Sequence, residues 1–521
     1  MAISWIEQAK KFKSPLPVVA GFLFRSRETK AARCRQLYQE NDDLKRRLER
    51  QAEELQRQEQ EIAGLKYEVQ KLEMQKHAGS SRTVTLPDDP PIGSHGYGSR
   101  MVTLAVNLAR SVGLRGAARA VKTFFEWLGL SVKVPNWTAI RSWLARLGIA
   151  ALQEPMERAD DCIWIGDHSN QIGAEKVLVI LAVHASKLPP PGTALKHQDV
   201  RVLHIEPGTQ WKREDMAKVY ERLAERFGPP RGVLIDGAVE LREGAECLKK
   251  RRADTLVLRD FKHYAANVLK SLLGNDERFK AFSTQVGQTR SAIQQTELAH
   301  LTPPSPKSKS RFMNLATMLR WAGVMAWLLE HPDAQSRQGL TGQRLEEKLG
   351  WLRAYREDIA VWEECQRIVS SSVTFVNKQG LYCGASAALR NELATSLLVH
   401  EKSKQLAERL IGFVAEAEQY LKPGERLPLS TEILESSFSL YKQLERQQSK
   451  GGFTSLLSTF PALLKPATPE AVSKAFAQVS NKDVKQWVSE HLGTTLTSKR
   501  RATYAEHAKA NKRATNDTED S

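Results

Sequence analysis

Three carboxylates stand out for the places they occupy along this chain. Asp167 follows the apolar run CIWI, Asp236 follows VLI, and Glu435 lies on a helical stretch with Lys442 seven residues further on. Carboxylates on rigid elements suit magnesium or manganese, hard cations that prefer oxygen ligands and keep some of their waters. Two such ions would activate the attacking oxygen and stabilise the leaving oxygen of a phosphodiester. On this reading Asp167 and Glu435 hold one ion, and Asp167 and Asp236 the other. Seven residues are nearly two helical turns, so Lys442 shares a face with Glu435 and would reach a neighbouring phosphate. Over 521 residues, 77 Lys and Arg against 60 Asp and Glu leave a net charge of +17, which makes a nucleic acid the first partner to consider.

Each acid also has a plainer explanation. Aspartate after a strand is commonly a turn residue or a helix cap. Glu435 sits among Glu432, Glu445 and Arg446, as on any solvated helix face, and Glu432 is the fallback for the third acid. The joint placement of the acids favours the site reading, provided the intervening elements bring them together.

Those elements begin at Cys162. CIWIG, KVLVILAVHAS and VRVLHIEP read as three consecutive strands, the helix WKREDMAKVYERLAERFG follows, and VLI, AVELREGAECLKKR and TLVL continue as strand, helix and strand. That is the order of a ribonuclease H-like mixed sheet, in which the ends of adjacent strands would bring Asp167 and Asp236 to one rim. His168 would point to the opposite strand face if the strand continues. After about residue 265 the strands stop, and so long a strand-poor stretch is expected to be an inserted helical domain rather than a loop. Within it, Trp321 and Trp327 carry rings that could stack on a splayed base, but Leu315, Leu319, Val324 and Leu328 recur at helical spacing, so a core role is the expectation. Lys307, Lys309 and Arg311 in the loop TPPSPKSKSR are candidates for phosphate contact, in an otherwise solvated loop.

Upstream, Leu37, Asn41, Leu44, Leu48, Gln51, Leu55, Gln58, Ile62, Leu65, Val69 and Leu72 alternate steps of four and three, the pattern of a coiled coil. A homodimer or higher oligomer is therefore expected, against the plainer reading of an amphipathic helix folded on its own chain. The stretch AGSSRTVTLPDDPPIGSHGYGSR has linker composition. Three helical segments follow, divided at Gly113 and at Gly129 to Pro135. The third carries Arg141 and Arg146 beside Trp137, Ile140, Trp143, Leu144 and Leu147. A helix-turn-helix would set that helix in the major groove, its arginines on phosphates or guanine edges. An ordinary packing module with solvated arginines is weighed equally.

The segments IGDHSNQIG, LIDGAVEL, RDFKHYAANV and ESSFSLYK together resemble the DDE transposases, among them the Mutator-like and related bacterial insertion-sequence enzymes. Asp260 and His263 match that group's C/D-x2-H motif, and Glu435 with a basic residue seven later matches its last catalytic helix. The resemblance covers residues 160–270 and about 430–446. It implies catalytic and metal-binding roles for Asp167, Asp236 and Glu435, and a helical domain inserted before the last acid. It also implies places for Asp260 and His263 beside the DNA strand rather than on the metal, against a plain helix cap with a polar histidine. The N-terminal coiled coil departs from the simplest members and leaves the subfamily open.

The expected fold is multidomain, α plus α/β. Residues 1–77 form an N-terminal helical region with coiled coil, 78–100 a linker, and 101–150 a helical domain with the candidate helix-turn-helix. Residues 160–270 form the first part of the ribonuclease H-like core, 271–430 an all-helical insertion, 431–448 the final core helix, and 449–521 a C-terminal helical region with a basic tail. The expected function is metal-dependent strand cleavage and transfer on double-stranded DNA. A catalytically inactive DNA-binding derivative and a structure-specific nuclease are the alternatives. The five cysteines are scattered, with no CxxC, and no apolar run reaches the roughly 20 residues of a membrane span. No secretion signal is read in SPLPVVAGFLF, so a cytoplasmic, nucleoid-associated protein is expected.

Overall fold

A computed structural model describes residues 87–93, 96–172, 175–208, 210–305, 315–333, 342–394, 398–446, 455–492 and 502–507, with positions 57, 58, 61, 62, 64 and 66 before them. The Leu37 to Leu72 heptads lie outside the described residues apart from those six, which are helical. Most of the basic tail and the segment with Lys307, Lys309 and Arg311 also lie outside them. Residues from Asp89 onward form one compact unit.

That unit begins inside the expected linker. The Asp89 carboxylate accepts from the backbone N–H groups of Arg100 and Met101, at 2.9 and 2.8 Å, and so caps a helix whose own N-cap, Gly98, has no side chain. The helix, α1 (Ser99–Trp127), breaks at Gly113, whose φ of 74° suits a residue without a Cβ. A second helix, α2 (Trp137–Gln153), follows the expected interruption, capped by the Asn136 side chain.

The middle of the chain is a mixed five-stranded sheet in the order β3-β2-β1-β4-β5. It consists of β1 (Cys162–Ile172), β2 (Glu175–His184), β3 (Arg201–Gly208), β4 (Gly232–Ile235) and β5 (Leu256–Arg259). The first three pair antiparallel, whereas β4 runs parallel to both β1 and β5. Helices α3 (Arg213–Phe227) and α4 (Val239–Arg251) make the parallel crossovers. The sheet is covered on both faces, so β2 is almost continuously apolar. In β1, Ile163 and Ile165 enter one core, and Cys162 and Trp164 enter the other with Tyr220 and Leu241. The architecture is thus largely helical around a mixed sheet, compatible with a ribonuclease H-like core.

Helix α5 (Phe261–Leu273) leads into α6 (Glu277–Ile293), α7 (Leu315–Leu329), α8 (Gly342–Leu349) and α9 (Arg356–Gln379). The region is not all-helical as expected. A short ladder closes it, β6 (Leu381–Tyr382) against β7 (Arg426–Leu427), with α10 (Ala385–Ala394) and α11 (Glu401–Glu418) between them. Within α7, Trp321 is half-buried and donates to the Leu301 carbonyl, but Val324 and Trp327 are each 51% exposed, so the core expectation fails for Trp327. The packed stripe follows Leu315, Leu319, Ala322, Met325 and Leu328 instead.

The chain then returns to the sheet through α12 (Glu432–Arg446). Beyond it lie α13 (Phe460–Leu464), α14 (Pro469–Gln478) and α15 (Asn481–Leu492), and residues 502–507 are also helical. Helices α13, α14 and α15 pack on α2. A Cβ at Gly148 of α2 would meet the Ser458 carbonyl at 1.9 Å, which shows how closely the C-terminal segment approaches. Residues 101–150 and 449–521 are expected as separate regions, but the helices described within 455–492 pack on those of 101–150. Among the described residues, no helix is long and apolar enough to cross a membrane.

Candidate active site

Gly166 of β1 pairs with Ile235 of β4 in parallel register, so the next residues, Asp167 and Asp236, emerge side by side. Asp167 is not at the end of its own strand, as expected from the polar DHSNQI. β1 continues to Ile172 because the long β2 supplies a partner, with Asp167 opposite Val179. The strand that ends is β4. Gly237, at φ 100°, turns the chain there, and Asp236 Oδ1 accepts from the Ala238 N–H at 2.8 Å.

Burial, and then the negative charge of Asp236 beside it, raise the Asp167 pKa well above the ordinary carboxylate range. The His168 N–H, 2.6 Å from Asp167 Oδ1, and the nearby His263 pull it the other way without prevailing. A like charge beside a partly desolvated carboxyl disfavours its ionised form, and Asp167 is the member of the pair that shows it.

His168 lies on the opposite strand face, as alternation predicts. Its Nδ1 is 3.8 Å from Glu240, its ring is 5.4 Å from that of Trp211, and burial lowers its pKa to about 4. It belongs to the other side of the sheet and not to the acid pair.

Asp260 connects the end of the sheet to the third acid. Its N–H donates to the Ile235 carbonyl at 2.7 Å, directly before Asp236. Its Oδ2 accepts from both the N–H and Nδ1 of His263, each at 2.7 Å, and its Oδ1 accepts from the Thr431 N–H at 2.7 Å. One fully buried carboxylate therefore caps α5, orients His263 and fixes the chain entering α12. Burial works against a charge on His263, but the hydrogen bond and charge of Asp260, with Asp236 and Glu435, outweigh it and raise the pKa to about 9. His263 is a cation at neutral pH. Asp260 is both a helix cap and a neighbour of the acids, so the two sequence readings describe one residue.

Glu435 lies in the first turn of α12, where its Oε2 is 2.7 Å from Lys262 Nζ. Glu432 is 3.9 Å from the same ammonium group and also accepts from Asn377 Nδ2 on α9. Glu435 is therefore the glutamate paired with Lys262 beside the site, and it contributes to the field at His263. Lys442 is half-buried further along α12. Lys262 carries no role in the sequence reading. The one signal for it is its place in RDFKHY, in the first turn of a helix capped by Asp260.

The arginines of α2 are placed otherwise. Arg146 is 3% exposed, and it donates to the carbonyls of Val479 and Phe476 at 2.6 and 2.8 Å with its guanidinium 3.9 Å over the Phe476 ring. It is a packing residue whose donors are directed into the protein. Arg141 bonds the Ser455 hydroxyl at 2.5 Å and is largely desolvated. With α2 enclosed by the C-terminal helices, the packing-module reading replaces the groove-reading one.

Among the described residues, no group of three or more His, Cys, Asp or Glu side chains is arranged to hold a metal ion. Asp167 and Asp236 offer neighbouring carboxylate oxygens, the donor type a hard divalent cation takes. They form a half-buried like-charge pair, and Glu435, on the helix that Asp260 ties to the same strand end, is held by the Lys262 ammonium group.

No family model and no curated protein matches the chain. Among solved structures, it is similar to the Drosophila P element transposase strand transfer complex, with 12% identity and a TM-score of 0.34, over 80% of this chain and 98% of that one. A likeness of that size carries no argument about fold or activity.

Proposed function

We propose that this protein is a DDE-type transposase that cleaves a DNA strand with magnesium or manganese and joins the freed 3′-hydroxyl to target DNA. The observation that carries the reading is the side-by-side emergence of half-buried Asp167 and Asp236 where β4 ends, with Asp260 tying the helix of Glu435 to the same strand end. Neighbouring carboxylates whose repulsion is only partly offset, here by His263, are a reasonable place for a cation.

Asp167 and Asp236 would hold one ion, and Glu435 with Asp167 a second. Bound there, such ions polarise the phosphate and lower the pKa of the attacking water or hydroxyl. The chain's own residues do the rest. Asp260 fixes the spacing of β4, α5 and α12, so the three acids share one rigid frame. His263, held charged by Asp260, places a positive edge beside the acids where a DNA phosphate would otherwise be repelled. Lys442 extends that positive character along α12, and the net charge of +17 draws duplex DNA to the protein. The helical insertion before Glu435 and the Asp260-x2-His263 pair accord with the Mutator-like resemblance.

The test uses DNA flanking the coding region, with Mg2+ or Mn2+. Asp167→Asn, Asp236→Asn and Glu435→Gln should each abolish cleavage and leave DNA binding nearly unchanged, whereas Glu432→Gln should cleave. Substantial cutting by any of the first three removes that residue from the site. Cleavage without strand-transfer products returns the protein to the nuclease reading, and DNA binding with no cleavage by the unaltered chain returns it to the inactive one.

A further inference from the structure

The three acids are not equally free. Among the described residues, no lysine or arginine forms an ion pair with Asp167 or Asp236, and His263, whose charge acts on both, gives its Nδ1 to Asp260. Glu435, by contrast, is occupied. Lys262 Nζ sits 2.7 Å from its Oε2 and 3.9 Å from Glu432, with the lysine side chain 23% exposed and that of Glu435 34% exposed. The pair is thus substantially shielded and screened less than a surface contact.

Lys262 is held there by its helix. Asp260 caps α5, Phe261 is fully buried against Phe413, and the next residue in that first turn falls against the start of α12. An ammonium group on a four-carbon stem can change partners without disturbing the backbone, which a guanidinium fork does less readily.

We propose that Lys262 is an internal placeholder cation, which neutralises and orients Glu435 before a divalent ion arrives and must leave it for that ion to bind. This rests on the reading of Asp167, Asp236 and Glu435 as divalent-cation ligands and extends it to an order of events. The unpaired aspartates receive the ion first, and Glu435 is transferred from lysine to metal second. Two positive charges cannot share one carboxylate edge at little cost, so metal binding and lysine release are a single coupled step.

The test titrates full-length protein with Mn2+ alone, following free Mn2+ by its paramagnetic resonance signal, and separately measures acetylation of Lys262 by an amine-reactive label. Lys262→Met should bind Mn2+ more tightly, roughly three- to tenfold, the scale of removing one competing charge from a partly shielded pair. Glu435→Gln in the Lys262→Met background should remove that gain. In the unaltered chain, Lys262 labelling should rise as Mn2+ saturates. Should Lys262→Met fail to fold, Lys262→Gln, which keeps a donor and loses the charge, carries the same comparison. Equal or weaker Mn2+ binding by the lysine variants, or labelling that stays constant while Mn2+ binds, overturns the placeholder role and leaves the metal reading standing. If neither the unaltered chain nor any variant binds Mn2+, the metal reading itself fails, and the placeholder with it.

Discussion

Arg231 and Asp236 flank the same four-residue strand, β4, and their surroundings are opposite. Arg231 meets Glu425 through two contacts of 2.6 and 2.8 Å and donates to the carbonyls of Asp254 and Tyr420 at 3.0 and 2.8 Å, so a nearly buried charge is answered on every side. At the other end Asp236 faces a second carboxylate, and Asp167 is pushed toward its protonated form. One sheet thus carries a charge that stabilises the fold at one end and a charge conflict at the other. Internal satisfaction marks a residue that holds the structure, whereas an unanswered like-charge contact is, on the proposed function, where a cation would sit.

The largest expected effect tests that contrast. Arg231→Met leaves Glu425 buried without its partner and should cost about 3–5 kcal/mol in urea unfolding. Asp236→Asn should cost nothing or slightly stabilise, because it removes repulsion. Comparable destabilisation by both would break the comparison. Arg146 belongs with Arg231 in this scheme, and Arg146→Ala should lose about 2–3 kcal/mol by orphaning two carbonyls and a stacked ring, with DNA affinity unchanged. A selective loss of DNA affinity in a stably folded variant would move Arg146 to the other class.

The acid end can be sharpened by pH in the presence of a chelator. His263 has its pKa raised to about 9, so its stabilisation is fully present below its unfolded value near 6.5 and disappears as pH rises through 9. For a side chain 31% exposed the screened contribution is about 1–2 kcal/mol. Asp167, also raised, binds a proton more readily folded than unfolded, so its contribution falls as pH rises above the ordinary aspartate value. Relative to the unaltered chain, His263→Gln should flatten the stability profile between pH 6.5 and 9, and Asp167→Asn should flatten it at lower pH. A His263→Gln profile parallel to that of the unaltered chain would show that the ring carries no raised pKa. The smallest effect is Lys442→Ala, which should weaken binding to all duplexes alike and lower the slope of binding against salt by about one.

The paired aspartates were legible because short apolar strands followed by aspartate constrain both position and direction, and alternation correctly set His168 on the far face. Asp260 was visible as a motif, but its contact with Thr431 spans an insertion that local pattern cannot cross. Lys262 was silent for the same reason, since its partner lies 173 residues away. Arg146 was misread because an amphipathic helix looks the same whether its arginine meets solvent or meets carbonyls 330 residues downstream. Trp327 was misjudged because apolar spacing does not say how wide a helix face is covered.

The neck of the insertion carries a consequence for how such a chain can diversify. The Phe261 N–H donates to the Leu429 carbonyl at 2.9 Å, so some 170 residues leave and rejoin the sheet at nearly one point. Closing a chain segment costs only about 0.6 kcal/mol more for each doubling of its length. With both ends fastened by Asp260 and by this contact, the helices beyond can lengthen, shrink or be exchanged over generations while Glu435 keeps its register against β4. The neck confines that variability to one side of a seam and leaves Asp236 and Glu435 beside it in place.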